Sequence, residues 1–230
     1  MLRKRGAVPK VSTIAIDGPA ASGKTVVGRL VSARFGFQFL DTGLMYRAVA
    51  LAAIQQSTLL SDDVALTALA AETEIAITET ADGTRVLVNS ADVTDSLRDA
   101  KVEAAVSQVA AVAGVRSVLV AKQRDMAAAG FIVMAGRDIG TVVLADADVK
   151  VYLEASAEER AKRRGLEKSG AKDKAAVGAV QKELEARDKQ DSQRTASPLR
   201  PAADAHIIQT DGLSIEQVVA EILQLIAARS

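Results

Sequence analysis

At 230 residues, with 49% hydrophobic and 25% charged side chains, the chain has the composition of a folded globular protein and not of a disordered one. It contains no cysteine, which excludes disulfides, thiolate zinc sites, iron–sulfur clusters and a cysteine nucleophile, and fits a reducing cytoplasm. Lysine plus arginine and aspartate plus glutamate both number 29, so no global field steers the molecule to nucleic acid or to an anionic membrane, and aromatics at 3% are too few for base-stacking platforms.

Residues 1–10 form a basic tail with no apolar stretch of signal-peptide length behind it. Residues 11–17 are a β-branched apolar run broken by Gly18 and Pro19, the pattern of a buried strand ending in a loop. Helical spacing follows from Lys24 to a predicted C-cap at Gly36, then a short strand over 37–40, then a helix through Ile54 with Thr42 as its expected cap. This alternation predicts a parallel sheet with crossover helices. Residues 74–77 and 85–88 flank an Asp82-Gly83 turn and predict an inserted hairpin.

Helical spacing returns over 101–129 with an expected interruption at Gly114, and residues 131–135 and 149–153 read as further core strands. Ser156 with Glu159 is an expected capping box, and so is Ser214 with Gln217. Between Glu158 and Arg194 eleven lysines and arginines face eight acids, a composition that fits either a solvated helix surface or a mobile basic lid. Residues 205–210 supply a fifth strand, and the only histidine, His206, lies in it as an ordinary strand residue.

Gly18-Pro19-Ala20-Ala21-Ser22-Gly23-Lys24-Thr25 matches the P-loop pattern GxxxxGK[ST] and stands between a predicted strand and a predicted helix, as that motif requires. Its glycines let the backbone amides face a phosphate chain, the helix N-terminus adds positive potential, Lys24 reaches the β and γ phosphates, and the Thr25 hydroxyl can ligate Mg²⁺. A nucleoside triphosphate is the implied ligand. Downstream, Leu40-Asp41-Thr42-Gly43 precedes Tyr46 and Arg47; Ser107 and Arg116 follow; then come Gly136-Arg137-Asp138-Ile139-Gly140-Thr141 and Arg187-Asp188 with Asp191 and Arg194. Several of these arginines fall in or near loops after predicted strands, where open α/β sheets bind ligands.

Over nearly all of residues 11–225 the sequence resembles the bacterial cytidylate kinases, whose motifs LDTGxMYR, GRDxGTVV and RDxxDxxR are all present. The resemblance implies an α/β P-loop kinase core with a five-stranded parallel sheet flanked by helices. It also implies that residues 11–230 form a single domain, with a monophosphate-binding region over 42–102 that carries the hairpin and a helical lid over 157–195. ATP with Mg²⁺ would be the phosphoryl donor and CMP or dCMP the acceptor, in a cytoplasmic monomer with no nucleic-acid or membrane partner. Residues 18–25 with Val26 would hold the donor. Thr42, Arg47, Arg137 and Arg194 would hold the acceptor, the three arginines at its phosphate; Arg187 would lie nearer the transferring group, Asp191 at the ribose, and Ser107, Arg116 and Asp138 at the cytosine. Lys24, Arg137, Arg187 and Arg194 would carry the catalysis, and Arg160, Arg163 and Arg164 would reach over the donor from the lid.

Two positions depart from the family pattern. Ala135 stands directly before Gly136-Arg137-Asp138, where relatives commonly carry an acid able to orient water on magnesium, and Val26 stands where many carry a hydroxyl residue. The first puts magnesium affinity or turnover at issue; the second leaves Thr25 in place. The other readings are a kinase for another small acceptor, such as UMP or shikimate, and a P-loop switch that hydrolyses slowly and signals by conformation.

Overall fold

The computed structural model describes residues 11–80, 83–169 and 174–229, so the basic tail, the Asp82 position of the expected turn and residues 170–173 of the expected lid lie outside it. Five parallel strands form the central sheet in the order β2-β6-β1-β7-β8. They are β1 Thr13–Asp17, β2 Gln38–Asp41, β6 Ile132–Gly136, β7 Val149–Glu154 and β8 His206–Gln209. The register is in step, with Ile14 opposite both Val133 of β6 and Val149 of β7.

Successive side chains of β1 and β6 go to opposite faces and both faces are covered, which is why these strands read as unbroken apolar runs. Ile14, Ile16, Val133 and Ala135 pack with Val27 and Val31 of α1 (Lys24–Phe35) and with Val218, Ile222 and Ile226 of α8 (Ile215–Ala227). Ala15, Ile132 and Met134 face the larger core, built from α2 (Thr42–Gln55), α3 (Asp63–Glu72), α4 (Ala100–Ala111) and α5 (Ala113–Ala127). The first helix ends on Gly36 as expected, and the Ser214–Gln217 capping box forms in full at the start of α8.

Four local expectations are corrected. Asp41, not Thr42, caps α2: its Oδ1 accepts from the Gly43 amide at 3.0 Å, while the Thr42 hydroxyl donates to the Ala135 carbonyl at 2.9 Å. The helical stretch after Lys101 breaks at Val112, where the chain bends by 94° in extended backbone, and not at Gly114. Gly114 instead lets α5 pass close to α3, since a Cβ there would lie 2.1 Å from Thr67 Oγ1. At Ser156 only half of the box forms: its hydroxyl accepts from Glu159 N at 3.2 Å, but its own amide donates to Asp211, and Glu159 turns to Arg163.

The fourth correction is α3 itself, which the sequence reading passed over. Its segment, DVALTALAAE, is apolar on most faces and lacks the alternation of a surface helix, although Asp62 accepts from Ala65 N as an ordinary N-cap.

The hairpin is present as β3 (Ile75–Thr80) against β4 (Gly83–Val88), and a two-residue β5 (Ala91–Asp92) makes it a three-stranded antiparallel sheet. Two long helices, α6 (Ala157–Ser169) and α7 (Lys174–Gln193), carry the charged segment and pack against each other. Among the described residues no single helix is long and apolar enough to cross a membrane.

Candidate active site

The C-terminal ends of β1, β2 and β6 open into one cleft, walled on its far side by α4 and α7. Its lining includes Lys24 and Thr25 of the phosphate loop together with Arg47, Arg116, Arg137, Arg164, Arg187 and Arg194. These come from six separate stretches of the chain, and only folding brings them together.

The loop between β1 and α1 wraps tightly. Gly18 has φ 150°, and a Cβ on it would lie 2.3 Å from the Leu153 carbonyl oxygen, so no other residue fits. Lys24 is 8% exposed and donates to the Pro19 carbonyl at 2.5 Å and the Ser22 hydroxyl at 3.2 Å. Burial, reinforced by the nearby Arg137 guanidinium, lowers the Lys24 pKa well below the usual range of a lysine. Thr25 Oγ1 donates to Asp41 Oδ2 at 2.7 Å, so a hydroxyl and a carboxylate, both hard oxygen donors, sit side by side at the mouth of the loop. Among the described residues no cluster of three metal-ligating acids or histidines exists. A bound Mg²⁺ would therefore take few protein ligands and most of its shell from phosphates and water, the arrangement this ion prefers.

The wall of the cleft that faces the phosphate loop is built from paired charges. Arg116 and Asp138, 3% and 4% exposed, form a buried ion pair, and the Arg116 guanidinium lies over the Tyr46 ring with 5.2 Å to its centroid. Arg137 donates through Nε to Asp191 Oδ2 at 2.9 Å and through Nη1 to the Gly18 carbonyl at 3.2 Å. Asp191 also faces Arg194 at 3.4 Å. Burial pushes the Asp191 carboxyl up, but Arg137, Arg194 and Arg187 outweigh it and hold the group below its usual value.

Arg187 is pushed down to about 10, first by burial and then by Arg137, and Arg47 and Arg194 are lowered for the same kind of reason. Arg116 Nε, Arg187 Nε and Arg194 Nη2 are buried without a hydrogen-bond partner. Unpaired guanidinium nitrogens under mutual repulsion are what a dianionic ligand would relieve.

Of the remaining expected residues, Val26 and Thr42 line the cleft, and Arg47 lines it while donating to the Leu97 carbonyl at 3.0 Å. Gly18, Pro19 and Ser22 belong to the loop but do not themselves line the cleft, and Ser107 does not line it either; its carbonyl accepts from Gln190 at 3.5 Å. The three lid arginines diverge. Arg164 lines the cleft and pairs with Glu103 of α4. Arg163 donates to Thr210 Oγ1 at 3.0 Å and Thr210 O at 2.8 Å. Arg160 is buried, bonding the Ala20 carbonyl at 3.2 Å and Asp188 at 2.5 Å, which ties the phosphate loop to α6 and α7.

Sequence reasoning gave no role to Asp41, Glu103 or Asp188. Asp41 and Asp188 lie inside the LDTG and RDxxDxxR motifs and carried a signal; Glu103 is the one acid of the mostly apolar helix α4 and carried none.

Ala135, 1% exposed, sits in the sheet between Asp41 of β2 and Ile16 of β1, with its side chain in the core that covers α1. An acid at that position would stand next to Asp41, the partner of Thr25.

A parallel five-stranded sheet with a phosphate loop after its central strand, facing a second arginine-rich wall, defines a P-loop kinase. A solved structure of an uncharacterized protein from Eubacterium ventriosum shares the fold, with TM-score 0.50, 13% identity and coverage of 95% of this chain and 99% of that one. The sequence profile of the family described as cytidylate kinase matches residues 14–228, and the chain belongs to that family. It is 45% identical over 212 residues to the cytidylate kinase of Desulfitobacterium hafniense, covering 92% of this chain and 91% of the relative. It is 47% identical over 216 residues to that of Pelotomaculum thermopropionicum, covering 94% and 96%.

Proposed function

We propose that the enzyme moves the γ-phosphoryl group of ATP to CMP or dCMP. A phosphate oxygen of the acceptor attacks the γ phosphorus, the bond to the β–γ bridging oxygen breaks, and CDP or dCDP leaves with ADP. The acceptor oxygen is already anionic near neutral pH, so no general base is needed, which accords with a cleft that contains no histidine. Positioning and charge neutralisation supply the catalysis.

Within that reading, the loop 18–25 with Val26 holds the donor phosphates and Lys24 neutralises charge on the transferred group. Thr25, assisted by Asp41, would hold Mg²⁺, which when bound offsets the charge of the β and γ phosphates. Arg47, Arg137 and Arg194 grip the acceptor phosphate, with Thr42 beside them, and Arg187 lies nearer the transferring phosphoryl. Asp191 meets the ribose, and Arg116 and Asp138 meet the cytosine edge, to which Ser107 of α4, outside the cleft lining here, would be brought on binding. Residues 42–102 would act as the monophosphate-binding region and 157–195 as the lid, with Arg160, Arg163 and Arg164 on its donor side. The proposed working unit is a monomer that acts on small-molecule nucleotides, without a nucleic-acid or membrane partner.

The observation that carries this reading is the buried Arg116–Asp138 pair facing the phosphate loop across the arginine cluster. A switch that only hydrolyses its nucleotide has no use for a second anion site. The test is ADP formation from ATP and Mg²⁺ with CMP, dCMP, UMP or shikimate added in turn. ADP should appear with CMP and dCMP well above the rate without acceptor. A rate independent of acceptor, or a preference for UMP or shikimate, would overturn it.

A further inference from the structure

Asp17 is the last residue of β1, one step before the Gly18 that opens the phosphate loop, yet its carboxylate hydrogen-bonds a different segment. Oδ1 accepts from the Ile139 amide at 2.8 Å and Oδ2 from the Gly140 amide at 2.7 Å. Those amides begin the π-turn Ile139–Val143, which directly follows Arg137 and Asp138. The turn closes on itself through Val143 N to Asp138 O at 3.2 Å and Leu144 N to Ile139 O at 2.7 Å, which leaves its first two amides without partners inside the turn. Asp17 satisfies both. The carboxylate is 4% exposed, a costly place for it unless the geometry it fixes matters.

The fit is close from both sides. A Cβ added to Gly140 would stand 3.4 Å from Asp17 Oδ2 and 3.3 Å from the Lys150 side chain, so the turn sits against the carboxylate with almost no slack. Lys150 in turn donates to the Ala145 carbonyl at 2.5 Å, just beyond the far end of the turn. The backbone that aims Arg137 at Asp191 and Asp138 at Arg116 is therefore held by an acid on the strand that feeds the donor loop.

We infer that Asp17 is a positioning residue for acceptor recognition: by clamping the turn after Arg137-Asp138 it sets the aim of both side chains while touching neither nucleotide. This rests on the reading of the cleft as an acceptor site for CMP.

The test is Asp17→Asn, which can keep one amide bond but sets its NH₂ against the other amide, donor against donor. Wild type, measured first, must show CMP-dependent ADP formation; if it does not, the functional reading fails and Asp17 is not at issue. With wild type active, the variant should raise the KM for CMP at least about tenfold, the cost of one misplaced buried hydrogen bond. It should narrow the CMP-to-UMP ratio of kcat/KM, and the Kd for ATP by calorimetry should change by clearly less than the KM for CMP, because Asp17 hydrogen-bonds the turn and reaches Lys24 of the loop only through its charge. Should Asp17→Asn fail to fold, Gly140→Ala crowds the same contact with Asp17 in place and should give the same signature more weakly. An unchanged KM and unchanged base ratio overturn the inference, and so does a loss of ATP affinity as large as the loss for CMP.

Discussion

The two halves of the cleft are made differently. The half proposed for the donor is eight consecutive residues, which offer backbone amides at a helix start with one lysine and one hydroxyl added. The half proposed for the acceptor draws Arg47 from α2, Arg116 from α5, Arg137 and Asp138 from just after β6 and Arg187, Asp191 and Arg194 from the end of α7 and beyond. Its charges are poised by burial and by one another: Asp191 is held below its usual value by arginines against burial, and Arg187 is lowered first by burial and then by Arg137. Backbone recognition suits the triphosphate chain that all P-loop proteins share. Side-chain recognition suits a base that must be told from its analogues, because buried polar groups left unpaired by the wrong base carry a penalty.

Lys24→Ala strikes the donor half alone and should lower kcat by at least about a hundredfold, since the lysine neutralises charge that builds on the transferred phosphoryl. Steady-state kinetics at saturating ATP and CMP measure it, and near wild-type turnover would remove the loop from the mechanism. Asp138→Asn strikes the acceptor half. In this geometry Asp138 pairs with Arg116, and in the proposed reading it also presents an acceptor to the cytosine amino group, so the amide should bring CMP and UMP closer by about tenfold in relative kcat/KM. An equal loss for both substrates would leave it only the structural job.

Ala135→Asp lies where the halves meet. With Asp41, the partner of Thr25, as its neighbour it should lower the Mg²⁺ concentration for half-maximal rate by about a few-fold if a carboxylate there orients metal-bound water. Because the side chain lies in the core with Ile16 and Phe39, the change should also lower Tm by several degrees. A magnesium titration that does not move would show the position to be irrelevant to the metal.

The smallest effect concerns the joint itself. Burial raises the Asp17 carboxyl from 3.8 to about 6, so between those values the folded chain keeps a proton that the unfolded chain has lost. Its contribution favours the fold most below about pH 4 and is lost as pH rises through about 6. The Tm of wild type minus that of Asp17→Asn should therefore fall by a few degrees across that window. A flat difference would mean that Asp17 does not titrate there.

Much of the donor half was legible in the chain because its signal is local: eight residues, a β-branched run before them and a helical pattern after. The β2–α2 unit, the hairpin and both terminal strands were legible for the same reason. Other features were not. Helix α3 escaped because an all-round apolar helix has no polar face to mark its period. The break between α4 and α5 was misplaced by two residues because Gly114 serves packing against Thr67 and not chain reversal. The resemblance to a known family named most of the arginines, but spacing could not say which of the three on α6 reaches the cleft. Besides local bonds to Ala155 and Glu159, the partners that decide it are Ala20 and Asp188, Thr210, and Glu103, all distant in sequence.

The order of strands and helices, the phosphate loop and the identity of the charged residues follow from local pattern, because backbone periodicity and turn chemistry act over a few residues. The pairing of those charges does not. Whether Asp138 meets Arg116 or Arg137, whether Asp17 serves the donor loop beside it or the turn 122 residues away, and whether Arg160 lies in the cleft or beneath it depend on side chains approaching across the sheet. Coulomb energy and desolvation are set by distance and burial, and neither quantity exists until the chain has folded.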